Sequence, residues 1–493
     1  MESSKTSYNL PMGSCSKMVR NIVSNVEISD PDTSPAYHHD PCGRSGHMRL
    51  YSMNKRESVM VFIVLLTAMG LVLFIGSTGP SITLTSKISG VEVLKHTNGS
   101  LPQGPFVMKT PRLSVYNQRL WLIAVVQTDN KDYENYDQSF KISMDIKGIT
   151  PQHKITDIVK VFKNRTRHLL CKQQIICSQV PIGHIGYIHY THYTFKVDFY
   201  NLETFHQKYQ IKEVMFYYKT YNPGYTQMEI WFRLFFLLSA FGVLRCFANS
   251  LRKFPVVDWS YEQKWTVVLL PLLILFNGPT LPLTLLTSNQ LIGMLDGVFQ
   301  VTFICAILLF WLCIYHGLRQ NESKPIAFYL PKVILVGPFW ICGVIMAKYR
   351  RMNEFDDPAF SYEIDSSAYT NIKSCVGIFA VIYIVYLVCL ILRAYYERRD
   401  LRSTPYFVDR LQFVTISIAI PLKICYLTIR HMKHGLGLIE DSFSADLNTE
   451  YRTSALFMNF YGVCNFYVFT LAAVYSPKKK PGFESLLTKE NLA

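Results

Sequence analysis

Six residues able to carry charge or paired hydrogen bonds sit inside long apolar runs: Arg233, Asn277, Asp296, Lys332, Lys423 and Asn465. An ionisable group in the middle of a membrane helix costs roughly 2.5–3.5 kcal/mol on insertion scales unless it meets a partner or water. Arg233 and Lys332 lie within a turn or two of helix ends, close enough for their side chains to reach the interface. Asp296 stands near the end of its run and Lys423 deeper in another, and an ion pair between them would offset both costs. Pairing within a bundle is the first expectation for all six; a conduction path comes second.

Other chemistry is sparse. Seven of the 13 histidines (His96, His153, His168, His184, His189, His192 and His206) fall between Ser77 and Gln227. His189 and His192 are the closest pair, but three positions on a regular strand turn them to opposite faces, which argues against a shared metal. With an ordinary pKa of about 6.5 the histidines could charge in an acidifying compartment, although plain surface histidines are the simpler reading. No G-x-S-x-G, H-E-x-x-H, G-x-x-x-x-G-K-[ST] or C-x-x-C occurs. The expectation is no enzyme, no cofactor and no metal.

The elements that must position these residues are mostly membrane helices. Only 17% of the 493 residues are charged, against about 25% in soluble domains. Eight runs approach the roughly 20 apolar residues that a bilayer core of about 30 Å requires. They are Ser58–Gly76, Met228–Phe247, Trp265–Leu286, Leu291–Ile314, Ile326–Ala347, Ile372–Leu392, Leu411–Thr428 and Ala455–Tyr475. Pro421 and Lys423 interrupt the seventh. Ser58–Gly76 follows 57 residues and lacks an A-x-A-like cleavage site, so it reads as an anchor.

Between the first two runs the period changes to two. Ile142, Met144 and Ile146 alternate with polar residues, as do Tyr193, Phe195, Val197 and Phe199. That pattern buries one face of a sheet. Further strands are expected at Leu120–Gln127, Ile155–Phe162 and Ile211–Tyr218, making a β-sandwich or small barrel over residues 77–227. The remaining boundaries follow: a polar tail at 1–57 of disordered composition, an anchor at 58–76, a seven-helix block at 228–475 and a tail at 476–493.

The net charge of +15 has a topological explanation. Arg49, Lys55 and Arg56 precede the first run, Arg252 and Lys253 follow the second, Arg319 and Lys324 the fourth, and Arg393, Arg398, Arg399, Arg402 and Arg410 crowd one later connection. Lys478, Lys479 and Lys480 follow the last run. The positive-inside rule then puts both termini in the cytosol and the β domain in the lumen or outside the cell. One connection dissents, because Lys348, Arg350 and Arg351 open a segment placed outside. Sequons at Asn98 and Asn164 fall in the exported domain, while that at Asn321 falls inside. Cys171 and Cys177, the domain's two cysteines, are candidates for a disulfide there; the other ten read as small buried hydrophobes. No aromatic platform accompanies the basic residues, so nucleic acid is not an expected partner.

A set of strings supports a family resemblance. They are Met48-Arg-Leu-Tyr51, Tyr116-Asn-Gln118, Leu120-Trp-Leu122, Lys219-Thr-Tyr-Asn-Pro223, Glu229-Ile-Trp-Phe-Arg233, Ser250-Leu-Arg-Lys-Phe254, Glu262-Gln-Lys-Trp265, Leu308-Leu-Phe-Trp-Leu-Cys313, Phe328-Tyr-Leu-Pro-Lys332, Asn465-Phe-Tyr467 and Val474-Tyr-Ser-Pro477. From about Met48 to Pro477 the chain resembles the transmembrane protein 181 family, in the Wntless-like branch of GOLD-domain seven-helix proteins. The resemblance implies a GOLD- or lipocalin-like luminal sandwich resting on a seven-helix bundle shaped like that of a G-protein-coupled receptor. It also implies a trafficking or cargo receptor in the Golgi, endosomes or plasma membrane, with a secreted or lipid-bearing partner, and a link to sensitivity toward bacterial cytolethal distending toxins. The alternative is an orphan signalling receptor acting through the Arg393–Arg410 connection. Neither a D-R-Y triplet nor N-P-x-x-Y is present, so a G protein is not the expected partner. A transporter ranks third, for want of a repeat relating the halves of the bundle.

Overall fold

The computed structural model describes residues 48–97, 99–129, 135–158, 164–172, 175–287, 289–317, 325–360, 365, 367–397, 407–431 and 453–477. Most of both tails, the basic residues Arg319, Lys324, Arg398, Arg399 and Arg402, and the sequons at Asn98 and Asn321 lie outside the described residues.

The β domain is a two-sheet sandwich. One sheet has the strand order β1 (Thr83–Ser89), β9 (Ile211–Tyr221), β3 (Leu120–Thr128), β7 (Val180–Ile185). The other runs β2 (Phe106–Lys109), β8 (His192–Tyr200), β4 (Asn135–Ile149), β5 (Ile155–Asp157), with β6 (Arg165–Lys172) also on β4. All pairings are antiparallel. The expected alternation sets the register. Ile142 faces Phe199, Met144 faces Val197 and Ile146 faces Phe195, and all six side chains are buried. Together with Phe106 of the same sheet they meet Phe216 and Tyr218 from the other layer, so two apolar faces close on each other and the polar faces stay wet. Strand β5 covers Ile155–Asp157, residues 159–163 of the expected strand lie outside the described residues, and two short helices, Gly90–Leu94 and Glu203–Tyr209, add to the strands.

The helices are α1 (Lys55–Thr78), α2 (Pro223–Leu251), α3 (Tyr261–Phe276), α4 (Leu281–Leu286), α5 (Gln290–Gly317), α6 (Pro325–Asp356), α7 (Ser367–Glu397), α8 (Phe407–His431) and α9 (Ala455–Tyr475). Among the described residues seven spans are long and apolar enough to cross a membrane, with α3 and α4 counted as one. The eighth expected span, Leu411–Thr428, falls in α8, whose described side chains include the shorter apolar stretch Arg410–Ile420. Trp231, Phe235 and Leu238 on α2 are 70%, 61% and 63% exposed on the outside of the bundle. A belt of that kind is stable only against lipid. This is a multi-pass protein embedded in a bilayer.

The anchor α1 belongs to the same bundle. A Cβ at Gly76 would lie 2.7 Å from the Cα of Ala455, so glycine lets α1 and α9 approach closely. At the face opposite the β domain, Met48 bridges Pro477, and the Arg49 N–H donates to the Ser476 carbonyl at 2.9 Å. The chain therefore enters the first helix and leaves the last at one face. Strings far apart in sequence converge there: Gln263 donates to the Tyr475 carbonyl at 2.9 Å, and buried Glu262 pairs with Arg410.

Candidate functional site between the β domain and the bundle

The domain and the bundle are joined by a continuous polar chain. It begins at the turn Val115–Asn117, which leads into β3. Asn117 Nδ2 donates to the Tyr221 carbonyl at 3.0 Å and to Thr220 Oγ1 at 3.3 Å, locking the turn to the end of β9. The next residue, Gln118, has φ of 53°, uncommon for a residue with a side chain. From there its amide donates to Thr226 Oγ1 at 3.0 Å and to Glu229 Oε2 at 3.1 Å.

Helix α2 carries the chain inward. Asn222 caps it by accepting from Gly224 N–H at 3.0 Å, and Pro223 occupies the first turn, where no amide donor is needed. Tyr225, Glu229 and Arg233, spaced by four, lie on one buried stripe. Glu229 Oε1 holds Arg233 Nη2 at 2.7 Å, and Arg233 Nη1 faces Asp296 Oδ2 of α5 at 3.5 Å. The guanidinium also lies over the Tyr461 ring, 4.8 Å from its centroid, and 5.6 Å from that of Phe457. Gln300 donates to Asp296 at 2.9 Å and stands 3.4 Å from the Tyr461 hydroxyl. Two carboxylates thus surround one guanidinium. Arg233 Nε and Nη1 and Asp296 Oδ1 remain without hydrogen-bond partners.

A broken helix completes the site. α3 ends at Phe276, and Gly278 takes φ of 68° before α4 begins. A Cβ on Gly278 would lie 2.7 Å from Arg233 Nη1 and 2.9 Å from Asp296 Oδ1, so only glycine fits beside the ion pair. Asn277 and Asn465 exchange amide hydrogen bonds at 2.8 and 3.0 Å, and Asn465 also donates to the Tyr461 carbonyl at 2.9 Å. Each amide meets the other's demand, which lets both be fully buried.

Three expectations are corrected here. Asp296 faces Arg233, not Lys423, whose side chain is exposed. Arg233 does not reach for the interface, because Glu229 one turn earlier already supplies its counter-charge. Lys332 is buried as well: its ammonium donates to the Phe328 carbonyl and lies 3.5 Å from the Phe328 ring centroid, a cation–π contact within the protein. Nothing in sequence spacing identified Gln118, Glu229 or Tyr461 as members of the chain.

A second junction lies on the connection after α6, whose acidic residues pack on the β domain. Asp357 pairs with Arg165, and Asp365 pairs with Arg167 at 2.7 Å. Arg167 also donates to the Ala359 and Pro181 carbonyls at 2.6 and 3.0 Å, and the His184 N–H donates to the Pro358 carbonyl at 2.7 Å. Arg167 is 1% exposed, a buried charge fully engaged by carboxylate and carbonyls. This strap and the polar chain hold the domain to the bundle at two places.

The histidines do not gather. His184 stacks on Trp121, His168 sits 3.1 Å from Asp137, His192 3.1 Å from the Thr110 carbonyl, and His206 accepts the Ile211 N–H at 3.0 Å. The His189 N–H donates to the Tyr193 hydroxyl at 3.0 Å, and burial pushes that phenol's pKa up, keeping it neutral. Cys171 and Cys177 form a disulfide, and Asn164 is exposed at the start of β6. Of the other cysteines, Cys305, Cys313 and Cys464 are buried as expected for small hydrophobes, but Cys246 and Cys389 are exposed.

Residues 222–479 match the family model of the Wntless-like transmembrane domain, and residues 104–221 match the model described as TMEM181, GOLD domain. Human transmembrane protein 181 is 42% identical over 447 residues, covering 90% of each chain. The chain belongs to the transmembrane protein 181 family. The two family models meet between Tyr221 and Asn222, the point at which β9 becomes the capped start of α2. The polar chain crosses that seam, with Asn117 and Gln118 in the GOLD part and Glu229 and Arg233 in the Wntless-like part. The anchor α1 and strand β1 precede both matched regions, yet β1 pairs with β9 along its length and α1 packs on α9.

Proposed function

We propose that the protein is a trafficking receptor of the secretory pathway or plasma membrane. Its β domain faces the lumen or cell exterior, both termini lie in the cytosol, and it binds a secreted or lipid-bearing protein through the β domain and the adjoining helix ends. A bacterial toxin, the other partner expected from the family resemblance, would meet the same exported face. No catalytic step forms part of this proposal. The observation that carries it is the polar chain from Gln118 through Glu229 and Arg233 to Asp296, which runs from the exported domain to a break in a membrane helix. Cargo bound outside can thereby bias the bundle, because buried charges have few alternative arrangements. The test is proximity labelling from the β domain, paired with comparison of the secretome of normal and knockout cells. A secreted protein that is both labelled and retained in the knockout supports the reading. An unchanged secretome, or ligand-dependent G-protein activation, would replace it with the signalling reading.

A further inference from the structure

The connection between α2 and α3, Arg252–Ser260, is folded on itself. The Trp259 indole packs against the core of the bundle, and its N–H donates to the Phe254 carbonyl at 3.1 Å. Between these two residues runs a single turn, Val256–Asp258, closed by the Asp258 N–H donating to the Pro255 carbonyl at 3.0 Å. With the indole turned inward, Val256 and Val257 point outward, 60% and 88% exposed. Two adjacent valines held outward by an ordered turn make an apolar tip that water covers poorly. The turn lies at the boundary of the bundle. Ser260 caps α3 by accepting from the Gln263 N–H at 3.3 Å, and its hydroxyl lies 3.2 Å from the Met48 sulfur, at the face where the chain enters α1 and leaves α9.

Basic side chains flank the tip. Arg252 and Lys253 precede it, Lys264 follows in the first turn of α3, and Arg245 stands seven residues before Arg252, two helical turns back on the same face of α2. All four are exposed, and none has an ion-pair partner among the described residues. The two carboxylates of this stretch do not compensate them: Glu262 is turned inward to Arg410, and Asp258 is half-buried within the turn. The valines need an apolar cover and the four cations need an anion at the same bilayer boundary. A phospholipid supplies both, with its phosphate at the level of the long basic side chains and its acyl chains beneath. In a choline lipid the headgroup cation cancels the phosphate, whereas a serine headgroup leaves a net negative charge.

We propose that Arg252–Val257, with Arg245 and Lys264, is a binding site for an anionic phospholipid of the phosphatidylserine class. That this lipid belongs to the cytosolic leaflet rests on the reading that both termini are cytosolic. The site's chemistry does not depend on that reading.

The test uses full-length protein in detergent micelles, where neither side of a membrane exists, so its result is separate from the orientation of the chain. Phosphatidylserine and phosphatidylcholine are offered in equal amounts, and the lipids retained are counted by native mass spectrometry. Wild type should retain phosphatidylserine preferentially. Each Lys or Arg near an anionic surface adds about fivefold to binding, so Arg252→Gln with Lys253→Gln should weaken the preference by roughly 25-fold. Val256→Ser with Val257→Ser should also lose bound lipid while every charge is kept, and soluble glycerophosphoserine should not compete. Both double variants should melt with wild type, because the altered side chains are exposed. The control is Lys55→Gln with Arg56→Gln, a basic pair on the same face outside the proposed site, which should leave the preference intact. Equal retention of the two lipids by wild type would overturn the site and leave this face to a cytosolic protein. An equal loss in the control would overturn it in favour of diffuse positive charge, and full competition by glycerophosphoserine in favour of a site for free phosphate esters.

Discussion

Gln118 donates to Glu229 at 3.1 Å across 111 residues of sequence, and this bond brings the strained turn before β3 onto the first turns of α2. Glu229 in turn holds Arg233 at 2.7 Å, so the attachment of the β domain and the charge balance of the bundle depend on one carboxylate.

Replacing that carboxylate tests the chain directly. Glu229→Gln keeps the size but leaves Arg233 with only Asp296, 3.5 Å away. Breaking a buried pair by removing one partner costs about 3–5 kcal/mol. The variant should melt several degrees lower in detergent, and adding Arg233→Met should recover part of the loss. Equal melting of wild type and Glu229→Gln would show that the pair carries no stability.

Strap attachment depends on guanidinium geometry. Arg167 meets both oxygens of Asp365, at 2.7 and 3.1 Å, and two carbonyls besides. Lysine keeps the charge but loses the planar fork. Arg167→Lys should therefore expose residues 348–366 to protease, with cleavage rising by roughly tenfold if about 1.4 kcal/mol of docking energy is lost. Cleavage at the wild-type rate would mean that the strap is held elsewhere.

The Asn277–Asn465 pair should behave as a unit. Asn465→Leu leaves a buried amide without its partner and should cost about 1–3 kcal/mol, whereas Asn277→Leu with Asn465→Leu should fall closer to wild type. Thermal melts of the two single variants and the double variant give the coupling energy. Strict additivity would contradict reciprocal bonding.

Glycosylation reports which way the protein faces. Asn164 is exposed at the start of β6 and should carry a glycan if the β domain is exported. Asn164→Gln should migrate faster on a gel than wild type, and glycosidase should narrow the gap between them. Identical mobility of the two before glycosidase treatment would remove this support for a luminal domain.

Much of the architecture was legible in the sequence because it rests on local periodicity. Alternation at Ile142–Ile146 and Tyr193–Phe199 is visible residue by residue, since the side-chain period of a strand is two. Long apolar runs are equally local, and only the one broken by Pro421 and Lys423 was ambiguous. The candidate site was only half legible. Arg233, Asp296, Asn277 and Asn465 stand out as polar residues in apolar surroundings, but Glu229 sits at a helix start, where a carboxylate is ordinary. Gln118 has only its place in the family string Tyr116-Asn-Gln118, and Tyr461 has no signal at all.

By itself, the sequence determined that a β module precedes a block of membrane helices, and which polar side chains would need partners there. Tertiary structure alone decided who those partners are: Asp296 with Arg233 instead of Lys423, Asn277 with Asn465, and Arg167 with Asp365, 198 residues away. The reason is physical. Hydrophobic burial follows a short repeat along the chain, whereas a buried charge is satisfied only by geometry that exists once distant helices and sheets have packed.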